Sequence, residues 1–85
     1  MEKYRIPYLV SSFIRKRSFE LRKLKCYSVW YYNEPERSIV ICTTRPGLWI
    51  GYYGKDLDEL RNGINEKLAL YKMEPVTIKL IECYS

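Results

Sequence analysis

One run of apolar residues constrains the fold of this chain more than any other feature. Leu57, Leu60, Ile64 and Leu68 occupy positions i, i+3, i+7 and i+11, the spacing of one face of an α-helix. Acidic residues stand at the start of this segment and lysines near its end, as the helix dipole favours. The pattern predicts a helix over about residues 55–70 with one buried face. Such a face needs another layer to pack against, which the rest of the chain must supply.

Three other segments have the character of β-strands. Residues 38–44 are rich in β-branched side chains, and residues 76–83 alternate along the chain as strand residues do. Residues 26–32 are rich in Tyr, Val and Trp, which favour strands. The turn-forming residues 33–36 connect this segment to residues 38–44. Because that connection is short, the two segments are predicted to form an antiparallel hairpin.

Two further helices are predicted before the long one. Pro7 suits the first turn of a helix, and the apolar residues after it predict a helix over about residues 7–20. Pro46 similarly precedes a short apolar turn at residues 48–50. The element order predicts an α+β fold with helices packed on one face of a three-stranded mixed sheet. No linker or repeat is visible, so residues 1–85 are expected to form one domain.

Positive charge is concentrated in the N-terminal part of the chain. The net charge is +5, and residues 1–25 carry eight basic and two acidic residues, whereas the other sixty carry seven and eight. Such a field attracts polyanions, either nucleic acid or an anionic membrane surface. A membrane partner is not expected, because the apolar face of the first helix should be buried on the sheet. Arg15, Lys16 and Arg17 are predicted to contact RNA independently of its sequence, and an ordinary solvated face is the alternative.

The residue types that are missing or isolated exclude several kinds of site. The chain has no histidine, which removes Ser-His-Asp and Cys-His catalysis and every zinc site that needs histidine. Cys26, Cys42 and Cys83 are far apart in sequence and are expected to be small buried apolar residues rather than a disulfide framework. A reducing intracellular compartment, the cytoplasm or an organellar matrix, is therefore expected. No enzymatic activity, metal or cofactor is expected.

The segment between the short and the long helix carries the main binding candidate. Gly51 and Gly54 flank two tyrosines immediately before the long helix. Glycine lets a backbone approach a phosphate group closely, and the amides of a helix N-terminus attract negative charge. The candidate nucleic-acid contacts are Arg45, Ile50, Gly51, Tyr52, Tyr53, Gly54 and Lys55.

The same segment resembles a known family. Residues 44–54 read TRPGLWIGYYG and residues 58–61 read DELR, similar to the type II KH domain of the small-subunit ribosomal protein S-three family. The resemblance extends over about residues 5–83. It implies the helix-strand-strand-helix-helix-strand topology and a groove whose GxxG loop grips about four nucleotides of a single strand. It also implies single-stranded or ribosomal RNA as the partner and, in a ribosomal component, contact with neighbouring ribosomal proteins.

Two departures from the family pattern leave the function open. Tyr52 and Tyr53 stand where the family usually has lysines, so phosphate contacts are expected to be weaker, while two rings could stack on bases. The further C-terminal domain of the ribosomal family is not present in these 85 residues. The first hypothesis is an RNA-binding KH protein, ribosomal or free-standing. The alternative is a protein-interaction module on a KH scaffold with a weakened phosphate clamp, which Tyr52 and Tyr53 leave open. Tyr27, Tyr31 and Tyr32 could mark a protein interface, but packing on a half-buried strand is the expectation for them.

Overall fold

Helices and strands follow one another in the order that the sequence predicts. The computed structural model describes residues 2–83, with side chains from residue 5 onward. Within this range the elements are α1 (Glu2–Arg22), β1 (Ser28–Asn33), β2 (Ser38–Thr43), α2 (Pro46–Ile50), α3 (Lys55–Leu70) and β3 (Thr77–Glu82). One turn of 3-10 helix, Tyr52–Gly54, joins α2 to α3. The fold is therefore a small α+β domain.

The strands form one mixed sheet in the spatial order β1-β2-β3. β1 pairs antiparallel with β2, which places Trp30 opposite Ile41 and confirms the predicted hairpin. β2 pairs parallel with β3, which places Ile41 opposite Leu80. Parallel strands need a crossover connection, and α2 and α3 provide it. Only Thr44 and Arg45 separate β2 from α2, so the central strand fixes the position of that short helix.

The core lies between the sheet and the helices. Ile39 and Ile41 are fully buried on the inner face of the sheet, and Trp30 and Leu80 pack against the same cluster. The helices contribute the buried residues Ile6, Leu9, Val10, Ile14 and Leu21 from α1 and Ile64 and Leu68 from α3. Val29, on the other face, is 69% exposed. Within residues 2–83, the helices therefore pack on one face of the sheet.

Helix α1 is longer than predicted. It spans Glu2–Arg22 rather than residues 7–20, and Pro7 lies inside it rather than in its first turn. An internal proline removes one backbone hydrogen bond. Ile6 and Val10 are buried on either side of Pro7, so packing on the core offsets this loss and carries the helix through the proline. None of the helices in residues 2–83 is both long enough and apolar enough to cross a membrane.

Helix α3 keeps most of its predicted apolar stripe. Ile64 and Leu68 are buried, whereas Leu57, in the first turn, is only half-buried. Gly63, unexpected in a helix interior, faces α1: a Cβ atom at this position would lie 3.1 Å from Phe13 Cε1. The glycine therefore allows α1 and α3 to approach each other closely.

Candidate nucleic-acid interface

A chain of hydrogen bonds fixes α2 against the β1–β2 hairpin. The Trp49 Nε1–H group donates to Ser28 Oγ at 3.0 Å, and the Ser28 hydroxyl donates to Thr43 Oγ1 at 2.9 Å. The Arg45 amide donates to the same Thr43 oxygen at 3.3 Å, and Cys26 Sγ lies 3.1 Å from it. Trp49 and Thr43 are almost completely buried. The network joins both strands of the hairpin to α2 and thereby determines where the following loop begins.

The α2–α3 loop has the backbone conformation that its glycines predict. Gly51 has φ +78° and Gly54 has φ +75°, values that favour glycine. Tyr53 also has a positive φ, +55°. The Gly51 and Gly54 amides donate to the carbonyls of Gly47 and Gly51, whereas the Tyr52 and Tyr53 amides have no hydrogen-bond acceptor in the described chain. Both amides lie in the 3-10 turn that precedes the sixteen-residue helix α3, and unpaired backbone N–H groups of such a turn can bind an anion.

The two loop tyrosines project into solvent beside these amides. Tyr52 is 80% exposed and Tyr53 is 90% exposed. Their ring centroids are 4.3 Å apart, and the ring planes meet at 69°. Ile50, at the end of α2, is also partly exposed. The loop therefore presents aromatic and apolar surface next to its free amides, a combination that suits a nucleotide with its base and phosphate.

Arg17 contacts the helices that support the loop. Its Nη2 atom donates to Asp56 Oδ2 at 3.0 Å and to the Leu48 carbonyl at 3.1 Å, and its Nη1 atom lies 3.5 Å from Glu20 Oε1. The Asp56 side chain in turn occupies the space that a side chain on Gly51 would need. One guanidinium group thus joins α1, α2 and α3. Arg17 positions the loop, and the carboxylates around it compensate its charge.

The other predicted cations are exposed but do not form one cluster with the loop. Lys55 begins α3 directly after Gly54, and Arg45 precedes α2. On α1, Arg15 lies on the side facing β1, and Lys16 lies on the side facing the first turns of α3. The structure therefore brings residues 50–55 together and engages Arg17 within the protein, while Arg15 and Lys16 also line one shared depression on the outer side of α1.

The outer face of the sheet is a second exposed surface. Val29 and Tyr31 are more than half exposed there. Cys42 and Cys83 are neighbours on this face, because β2 and β3 run in parallel. Burial and the adjacent Cys42 thiol raise the pKa of the Cys83 thiol. Both thiols are half-buried, so the expectation of full burial holds only for Cys26.

Sequence patterns do not reveal the residues that position the loop. Arg17 and Asp56 are 39 residues apart, and Ser28 and Trp49 are 21 residues apart. Helical and strand periodicities relate residues only within one helix or strand, so they could not predict that these distant residues contact each other.

The chain matches no family model, no curated protein and no solved structure.

Removing the Ser28 hydroxyl tests the network that holds α2. In Ser28→Ala, Trp49 Nε1–H loses its acceptor in a buried setting, and an unpaired buried group costs about 1–3 kcal/mol. We expect the free energy of unfolding, measured in urea, to fall by that amount. Ser12→Ala, at an exposed position of α1, is the matched control and should change it by less than about 0.5 kcal/mol. Equal stabilities of the two variants would contradict the role of the network.

Proposed function

We propose that this protein binds single-stranded RNA and grips the RNA backbone at the loop of residues 51–54. The observation that carries the proposal is the pair of free amides at Tyr52 and Tyr53, which are flanked by two glycines with positive φ and followed by α3. Backbone N–H groups in such a position bind phosphate oxygens. A contact between a backbone amide and a phosphate does not depend on the base, so binding at this loop is expected to be independent of the RNA sequence.

The resemblance to the type II KH domain supports this proposal. The order of helices and strands agrees with that topology, and the GxxG sequence forms the connection between α2 and α3. The partial exposure of Ile50 suits a groove floor beside the loop. In this proposal the protein is an RNA-binding KH protein, and the small ribosomal subunit is one setting in which it would meet ribosomal RNA and neighbouring ribosomal proteins.

Electrostatics near the loop are compatible with an anionic ligand. Three acidic residues follow the loop: Asp56 pairs with Arg17 at 3.0 Å and Asp58 with Arg61 at 2.8 Å, whereas Glu59 makes no ion pair within the described residues. Exposed pairs of this kind contribute little to stability, yet they neutralise two of the three negative charges. Lys55 is exposed and, within the described residues, makes no ion pair. It is thus an uncompensated positive charge beside the free amides.

A second candidate function is protein interaction through the outer face of the sheet. The specific observation is the exposure of Val29, Tyr31 and Ile81, at 69, 53 and 47%. Tyrosine is enriched at the centres of protein interfaces. Lys79, also on this face, is neutralised by Glu36 at 2.7 Å, so the surface carries little net charge. Charge neutrality suits an apolar partner better than RNA, so the two functions would use different faces.

Substitution of Gly54 tests the loop. A Cβ atom at Gly54 would meet nothing within 4 Å, and Asp tolerates positive φ better than most residues, so Gly54→Asp should fold. Its carboxylate would repel phosphate, and we expect affinity for a short single-stranded RNA, measured by fluorescence anisotropy, to fall at least about tenfold. Gly54→Asn, which adds the same bulk without charge, should lose less. Unchanged affinity in a folded Gly54→Asp variant would overturn the assignment of the loop.

Replacement of both loop tyrosines by lysine tests what the rings contribute. Tyr52 and Tyr53 are exposed, so the double variant should keep its fold. If charge dominates, Tyr52→Lys with Tyr53→Lys binds RNA more tightly, and the slope of log affinity against log salt steepens by about 0.7 for each new phosphate contact. Titration at several salt concentrations measures both quantities. Weaker binding would contradict this expectation and show that the rings stack on bases.

A further inference from the structure

Phe19 is an exposed aromatic residue surrounded by positive charge. Its side chain lies on the outer surface of α1 and is 63% exposed. The residues at i−4, i−3, i+3 and i+4 are Arg15, Lys16, Arg22 and Lys23. These four positions are the neighbours of a residue on a helix surface. Lys23 Nζ lies 5.4 Å from the centre of the Phe19 ring. We call these five residues the Phe19 patch.

The four cations of the Phe19 patch are free to meet a ligand. All four side chains are exposed. In the described part of the chain, the ion pairs of α1 involve Arg17, which lies outside the patch. The patch therefore concentrates four uncompensated positive charges within about two turns of helix.

Shallow depressions flank the ring on both sides. One, of about 500 Å³, lies between α1 and β1 and is lined by Phe19, Arg15, Arg22 and the half-buried Trp30, among others. The other, of about 660 Å³, lies on the outer side of α1, where Lys16 and Lys23 line it with Phe19 and with Glu20, which is paired with Arg17. A flat base therefore has room to lie against the ring, with cations on either side of it.

We propose that the Phe19 patch is a second binding site for single-stranded nucleic acid, in which a base stacks on Phe19 and the four cations contact phosphates. Proteins that bind single strands without sequence preference combine aromatic platforms with a positively charged track in this way. The inference rests on the proposed function for its class of ligand, but it does not use the α2–α3 loop. The Phe19 patch differs from the cations predicted from the sequence: it keeps Arg15 and Lys16 and includes Arg22 and Lys23 instead of Arg17, which is paired with Asp56.

The charge pattern favours a nucleic acid over a membrane surface. Membrane-surface helices carry a broad apolar face that enters the lipid. The apolar face of α1 is turned into the core, and the four helix-surface neighbours of Phe19 at i−4, i−3, i+3 and i+4 are all cations. A single ring enclosed by four positive charges fits one base within a polyanionic strand.

Removal of the ring is the first test. We expect Phe19→Ala to weaken binding of a ten-nucleotide oligouridylate, measured by anisotropy, about 5- to 100-fold, the effect of one lost stacking contact. Tyr8→Ala is the matched control, because Tyr8 is an 80% exposed aromatic residue on the same helix, with Ser11 and Ser12 at i+3 and i+4. It should bind as the wild type does. Both positions are exposed, so circular dichroism should be unchanged.

Neutralisation of the cations is the second test. The variant with Arg15, Lys16, Arg22 and Lys23 changed to Gln should flatten the salt slope by up to about 0.7 for each residue that contacts a phosphate. Lys72→Gln, at an exposed position after α3, is the control and should leave the slope unchanged.

The outcomes separate this inference from the proposed function. Absence of oligouridylate binding by the wild type refutes both. Binding that Gly54→Asp weakens and Phe19→Ala leaves unchanged overturns the Phe19 patch and keeps the loop. If Phe19→Ala instead abolishes binding to vesicles of phosphatidylserine and phosphatidylcholine without changing oligouridylate affinity, the patch binds a membrane and the inference is overturned.

Discussion

The parallel pairing of β2 with β3 determines the arrangement of the other elements. Two parallel neighbours cannot be joined by a tight turn, so the chain must cross over the sheet between them. Here the crossover contains two helices, α2 and α3, joined by a short loop. The positive φ angles of Gly51 and Gly54 allow the chain to turn from one helix into the next within four residues. The candidate phosphate site is thus built on a connection that the topology itself requires.

The position of this loop depends on a helix that could not hold it alone. α2 has five residues, too few to be stable in isolation. The hydrogen bonds of Thr43 and Trp49 fix it to the hairpin from one side. From the other side, Arg17 binds the Leu48 carbonyl near the C-terminal end of α2 and the Asp56 carboxylate in the first turn of α3. The guanidinium agrees with the dipole of α2, because the C-terminal end of a helix is negative. At α3 it is the Asp56 carboxylate that the positive N-terminal end favours, and Arg17 holds that carboxylate in place.

Much of the fold was predictable because its signals are local. The stripe that ends at Ile64 and Leu68 identified α3, and alternating residues identified β2 and β3. The extension of α1 through Pro7 was not predictable, because packing of Ile6 and Val10 decides it. The candidate loop was found from its glycines, whereas its supports were not, because they are distant in sequence. The spacing places the four cations of the Phe19 patch within four residues of the ring, but the exposure of Phe19 and the engagement of Arg17 are seen only in the structure. RNA binding and membership of the KH family remain predictions.

The charge of the molecule separates its surfaces. Residues 1–25, which include α1, carry eight basic and two acidic residues, whereas the outer face of the sheet carries the neutral pair of Lys79 and Glu36. A polyanion would therefore bind the basic N-terminal part of the chain, whereas an apolar protein partner would bind the outer face of the sheet. Titration of ¹⁵N-labelled protein with a single-stranded oligouridylate, followed by amide chemical shifts, compares these faces in one experiment. The account predicts the largest shifts at Tyr52 and Tyr53 and around Phe19; shifts confined to β1 and β3, or none at all, would contradict it.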